Sequence, residues 1–469
     1  MRHPEGLDPI TLPNRKAPYQ TREEEQDARQ QAAEAQVTAW RALLPDVLEK
    51  LSRIKDPRRP GSTRHKLTVL IVYGLLLFVY QLSSRRQANR ELTNPGVLEV
   101  LQSVFPDIDS IPHLDTVERL LEKIPAEQIE AVLVKKIAKL LRSHKLKSLL
   151  VENRYVVAVD GAQKLTRTVP FAPEALRRQK GDEVTYVVYV LEAALVGSQG
   201  VTIPLLAEFC ENKAGDGNQT KQDCEIKAFY RLASRLKRLL SKQRLLIVAD
   251  GLYPCGPVMD ICRKCKWDFM VVLPSARLKT VWEDAEGLHR LEPENSRTNR
   301  WGDHDQAFWW ANNIPYEWKD ATGHDHRITI HFAACDETWE KDGEIQTSHW
   351  AWVSGAPITR KNVLTRCNDA ARHRWGIEEN FLTEKTRGYS YEHAFSYDWN
   401  AIKGWHALMR LAHLLNILTL HTVALWDTVQ TRGMSGTLRF LWETIAGNWL
   451  DLERLRALCS KPAQLRLVI

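Results

Sequence analysis

Residues 154–161 read RYVVAVDG, a β-rich apolar run that stops on a carboxylate, Asp160, and a glycine, Gly161. The pattern recurs at 244–251 as RLLIVADG, ending on Asp250 and Gly251. Runs of this length and composition, bounded by a turn signal, read as buried strands. In an open sheet the carboxyl ends of neighbouring strands converge on one edge, where ligands bind. Asp160 and Asp250 would meet there and offer oxygen to a hard divalent cation, as Mg2+ requires. The plain alternative is that Asp-Gly after a strand is only a turn.

Working outward, VTYVVYVLEAALVG and GVTIPLLAEF read as two further strands, separated by Gly197 and Gly200. The expected order is strands near 155–160, 184–196 and 200–209, a helix over 226–243, a strand at 245–249, a helix over 254–265 and a strand at 267–273; the alternative is a short hairpin arm near 164–169, which changes the strand count. The 226–243 helix places Ile226, Phe229, Ala233, Leu236 and Leu240 on one side and Lys227, Arg231, Lys237 and Arg238 on the other. From Lys221 to Lys279 there are 13 basic and 5 acidic residues, an excess of 8, whereas the whole chain of 469 residues carries only +7. That local excess favours phosphate contact over a merely solvated face. A third-acid candidate lies in RHRWGIEENFLTEK, where Arg374, Glu378 and Lys385 share a helix face. Arg374 with Glu378 also fits an ordinary surface ion pair.

Before residue 150 the chain reads as helices. Residues 1–20 are a Pro-rich tail, 21–54 favour helix, and Pro57 and Pro60 interrupt. The run LTVLIVYGLLLFVYQL at 67–82 is sixteen residues, short of the roughly 20 needed to cross a bilayer, so a buried helix is expected. Asp115 is expected to cap a helix from Thr116, and Pro125 to start the next. Lys135, Lys136, Lys139, Arg142, Lys145 and Lys147 form a basic stretch without acids. Residues 274–365 alternate strands with turns and hold eight of the sixteen tryptophans. Trp309 and Trp310 are adjacent on a strand, so one faces away from the core unless both faces are covered. A long helix over about 400–426 and a helical tail close the chain. The expected division is 1–150 helical, 151–273 first core part, 274–365 β-rich insertion, 366–426 second core part, and 427–469 helical tail.

Hydrophobic residues at 44% and charged residues at 26% exclude wholesale disorder and a collagen-like chain. The eight cysteines show no framework spacing and read as reduced thiols of a cytosolic protein. Cys262 and Cys265, with Cys255 seven residues earlier, form one weak zinc pattern, for which core thiols are the favoured reading. No membrane partner is expected.

These motifs together resemble the DDE-type transposases of bacterial insertion sequences. More narrowly, they resemble the group with a Tyr-x2-Arg-x3-Glu-x6-Lys signature, matched here by Arg374, Glu378 and Lys385. The signature's tyrosine falls on Ala371, a departure from the pattern. The resemblance runs from about residue 50 to 425, and DPRRPGSTRHKL with SSRRQANREL resembles the helical region ahead of such cores. It implies an α/β fold: an RNase H-like mixed sheet interrupted by a β-rich insertion, with helical N- and C-terminal regions. It implies Asp160, Asp250 and Glu378 as catalytic acids and ligands of two Mg2+ ions, with Mn2+ able to replace them. Arg374 and Lys385 would grip DNA, and Trp309 or Trp310 would stack on a base, as an insertion tryptophan does in related hairpin-forming enzymes. The implied partner is double-stranded DNA, both element ends and target, bound by a homodimer in the bacterial cytoplasm. Two alternatives stand beside this: a transposase-derived DNA-binding protein without activity, and a metal-dependent nuclease without strand transfer.

Overall fold

The structure is a computed structural model and describes residues 18–469 apart from 62, 106, 198–199, 213–222 and 321. Most of the expected N-terminal tail, and Lys221 of the basic window, lie outside the described residues.

The N-terminal helices are α1 (Arg22–Ser52), α2 (Leu67–Val79), α3 (Arg85–Glu91), α4 (Pro95–Val104), α5 (Leu114–Leu121) and α6 (Ala126–Arg142). Thr21 caps α1 by accepting from the Glu24 N–H. Twelve of the thirteen residues of α2 are buried, as an all-apolar helix requires. A Cβ at Gly74 of α2 would lie 2.9 Å from Leu408 Cδ1, so glycine lets α2 approach a C-terminal helix closely. No described helix is long and apolar enough to cross a membrane. The start of α5 differs from expectation: the His113 side chain, not Asp115, is the cap and accepts from the Asp115 N–H. The basic stretch is partly tied inward. Lys136 is buried and donates to the Leu43 carbonyl at 3.0 Å, and Lys145 donates to the Leu465 carbonyl at 3.0 Å.

Strands follow: β1 (Leu150–Val151), β2 (Arg154–Arg167), β3 (Leu176–Lys180), β4 (Glu183–Val196) and β5 (Ile203–Cys210). Helix α7 (Glu225–Leu239) leads to β6 (Leu245–Ala249), and α8 (Gly256–Lys264) to β7 (Asp268–Val272). The segment beyond holds α9 (Lys279–Leu291), β8 (Ser296–Trp301), β9 (His304–Lys319), β10 (Asp325–Lys341) and β11 (Glu344–Ser354). The chain ends with α10 (Val363–Cys367), a 3-10 turn (Ala371–Arg374), α11 (Trp375–Thr386), α12 (Trp399–Leu420), α13 (Val423–Ala446) and α14 (Leu452–Cys459).

The fold is mixed α/β, with one sheet ordered β3-β4-β2-β6-β7-β11-β10-β9-β8; β5 also pairs with β4, and β1 with β2. Strands β2, β6 and β7 are mutually parallel and the other ladders antiparallel. Because β11 pairs with β7, the β-rich segment prolongs the central sheet. Three differences from expectation matter. Strand β2 does not stop at Asp160 but runs to Arg167, since the fourteen-residue β4 keeps pairing with it across a bulge between Gln163 and Leu165. Helix α9 and strand β8 were not anticipated. The long C-terminal helix divides at His421 and Thr422, where Thr422 bridges to Leu467. Within α13 the backbone breaks again at Gly433, whose φ of 69° suits glycine.

Candidate functional site

The ladder between β2 and β6 ends with Val159 opposite Ala249, so Asp160 and Asp250 are the next residues on adjacent parallel strands. Each carboxylate is oriented by its own backbone: Asp160 Oδ1 accepts from the Gly161 N–H at 2.9 Å, and Asp250 Oδ1 from the Leu252 N–H at 2.9 Å. The glycines do not serve a left-handed turn. A Cβ at Gly161 would lie 2.5 Å from Tyr189 Oη, and one at Gly251 would lie 2.4 Å from Pro274 Cγ. Close approach by neighbouring side chains, not turn geometry, requires glycine at both positions.

Glu378 lies in the first turn of α11, where the helix dipole favours a carboxylate. Arg374 Nη1 is 2.7 Å from Glu378 Oε1 and 3.9 Å from Asp160 Oδ2. The two acids therefore gather round one nitrogen of a buried guanidinium. Burial pushes the Asp160 carboxyl up to about 6 against the pull of the Gly161 N–H and of Arg374, and the charges of Asp250 and Glu378 add to the push. Glu379 is exposed and lines a separate groove with Thr383 and Arg387. Helix α11 is held by Glu384, 2.7 Å from His413 Nδ1 of α12; beyond it, Tyr391 donates to Glu192 at 2.9 Å. Glu192 is the residue of β4 directly opposite Asp160.

Arg374 and Lys385 differ in setting. Arg374 is buried between acids and packs over Trp375, 4.6 Å from the ring centroid. Lys385 is partly exposed and pairs with Glu392 at 3.0 Å. Among the described residues no group of three His, Cys, Asp or Glu side chains is close enough to hold a metal ion. The donor chemistry at Asp160, Asp250 and Glu378 is oxygen only, which fits Mg2+ or Mn2+, but the three carboxylates stand as neighbours and not as a closed ligand set. The eight cysteines are free thiols, and Cys262 is a buried core residue.

Trp310 is 3% exposed and belongs to the core. Trp309 is half-buried, stacked on His289 at 4.8 Å and against Phe332 at 4.8 Å. The exposed tryptophans are Trp301 at 42% and Trp375 at 46%. Arg372 lies 4.9 Å from the Trp301 ring centroid and 5.0 Å from that of Trp350, and binds the buried Glu337 at 2.6 Å. Trp301 was legible in principle: RTNRWGDH gives it no apolar neighbour to pack with. Much of the basic window is neutralised internally. Arg231 binds Asp223 and Glu208, each at 2.6 Å, Arg235 binds Glu208 and Glu130, and Arg263 and Lys264 share Asp260. Arg277 donates to the carbonyls of Gly251 and Leu252, bracing the Asp250 turn.

Residues 48–135 match a family described as DDE_Tnp_1-associated. The match runs from the end of α1 into α6, and no acid of the site lies within it. It gives the chain a partial domain associated with the DDE transposase family. No curated protein matches the chain.

Proposed function

We propose that the chain is a DNA transposase that cleaves the ends of its element and joins them to target DNA by phosphoryl transfer. The observation that carries this reading is the gathering of Asp160 and Glu378 round Arg374, beside Asp250 on the adjacent strand. Strand order supports an RNase H-like core: β5-β4-β2-β6-β7, with the last three parallel. The match over 48–135 supports the family.

In this reading Asp160, Asp250 and Glu378 would hold two Mg2+ ions, or Mn2+, which would supply Lewis acidity at phosphorus. Glu378 meets Arg374 through Oε1 alone, and the remaining N–H donors of the guanidinium suit the oxygens of a phosphate. Lys385, partly exposed on the same helix, adds a second cation to the strand. Base stacking falls more naturally to Trp301 than to Trp309 or Trp310, because its ring is already exposed and Trp310 would have to leave the core. Within the proposed helical region 1–150, the exposed Lys135, Arg142 and Lys147 remain for DNA-end recognition, and the DNA-bound form is a dimer.

The test incubates the full chain, with Mg2+, on DNA carrying the sequences that flank its gene. Joined products are the expected result. Cleavage without joining would make it a nuclease, and retention without cleavage a DNA-binding protein descended from a transposase.

A further inference from the structure

Glu225 is the first residue of α7 and belongs to no motif of the sequence. Its carboxylate accepts two phenol hydrogen bonds, one on each oxygen. Tyr189 Oη of β4 donates to Oε1 at 2.5 Å, and Tyr253 Oη donates to Oε2 at 2.9 Å. Each phenol belongs to a different half of the proposed site. Tyr189 lies against Gly161, where a Cβ would meet Tyr189 Oη at 2.5 Å and Glu225 Cδ at 2.8 Å. Tyr253 follows Asp250 by three residues, is fully buried, and gives its N–H to the Asp250 carbonyl at 3.2 Å. Its ring packs on Phe229 of α7 at 5.7 Å.

We infer that Glu225 is a positioning residue that ties the two Asp-Gly segments together through the phenols of Tyr189 and Tyr253. The inference rests on the transposase reading only for its functional consequence, not for the tether itself. The chemistry explains why the residue is an acid. The two donors take one oxygen each, and a carboxylate offers two acceptor oxygens, whereas an amide offers one. Burial and the Glu225 charge push both phenols well up, so they remain donors throughout the working pH range. An extra anion beside Asp160 and Asp250 is electrostatically unfavourable, so its place there calls for a compensating gain. Fixing the separation of the two aspartates supplies that gain, because a cation site needs its oxygens held in advance.

The test compares Glu225→Gln, Tyr253→Phe and the unaltered full chain by two readouts. The first is amide hydrogen exchange in peptides spanning 155–165 and 248–256. Glu225→Gln keeps one acceptor oxygen and so cuts the tie at one end; exchange should speed by about tenfold in at least one segment, the factor for losing one hydrogen bond. Acceleration in neither segment overturns the tether. The second readout is Mn2+ affinity by titration without DNA. Glu225→Gln and Tyr253→Phe should each weaken it by about tenfold, since both loosen the same tie. Weakening by Glu225→Gln alone would reduce the effect to lost charge and overturn the positioning role. An Asp160→Asn control separates the two ideas. If the unaltered chain and Asp160→Asn bind Mn2+ equally, the cation reading fails, and the exchange result still decides the tether.

Discussion

Asp160 is held in an environment that disfavours its own charge. Its pKa stands at about 6 in the folded chain against 3.8 for the free side chain, with burial as the first cause. The sign follows from linkage: the folded form holds the proton more tightly, so stability falls as pH rises from about 4 through 6 and stays reduced above that. Asp160→Asn should therefore raise stability near pH 7.5 by about 1–3 kcal/mol, the upper figure being the full shift. Near pH 3.5 it should change little. Urea midpoints at the two pH values check this, and an equal gain at both would mean that the acid is not strained by its surroundings. Asp160, Asp250 and Glu378 were legible because two apolar runs end on carboxylates and an Arg-Glu-Lys spacing marks the helix. Glu225 was not, because its partners lie 36 and 28 residues away and a lone glutamate carries no local pattern. That Arg374 would be buried between acids was equally hidden: its spacing from Glu378 showed a shared face, but Asp160 approaches from another element.

Strand β2 shows at the element scale what pairing can override. Asp-Gly reads as an end, yet the strand continues because β4 supplies partners as far as Arg167, and Gly161 sits inside the ladder opposite Leu191. Gly161→Ala should cost about 1–3 kcal/mol through overpacking against Tyr189 and Glu225. Chemical denaturation would show it, and an unchanged midpoint would mean that the two side chains move aside freely. The strand at 245–249 was readable from its unbroken apolar run, bounded by Arg244 and Asp250. Helix α9 was not, since its polar, Trp-containing sequence lies among strand-like runs. The break between α12 and α13 escaped because apolar residues continue on both sides of it. It is set by the pairing of Thr422 with Leu467, a contact between distant parts of the chain.

Across the whole molecule, one sheet joins the core to the β-rich segment, and a buried ion cluster locks the join. Arg366 of α10 is 1% exposed; it binds Asp268 at the start of β7 at 2.8 Å, Glu152 at 2.9 Å and Ser354 at the end of β11 at 2.9 Å. Arg366→Ala strips the buried Asp268 of its two close guanidinium bonds, leaving only Arg154 at 3.6 Å, and should cost about 3–5 kcal/mol. The expected sign in calorimetry is a single transition for the unaltered chain and a markedly lower midpoint for the variant; an unshifted midpoint would remove the cluster from the account. At this scale the sequence showed that a β-rich segment interrupts the chain, but not that β11 would pair with β7, because pairing partners leave no mark in local periodicity. The central claim is that the acids at this sheet edge act on a phosphodiester. It is tested most directly by the single-turnover rate of strand cleavage on DNA from the ends of its own element, comparing the full chain with Glu378→Gln. The account predicts that the variant binds this DNA with unchanged gel-shift affinity and loses cleavage by at least about a thousandfold, as removal of a group acting at the reacting centre does. Near-normal cleavage by Glu378→Gln would contradict it.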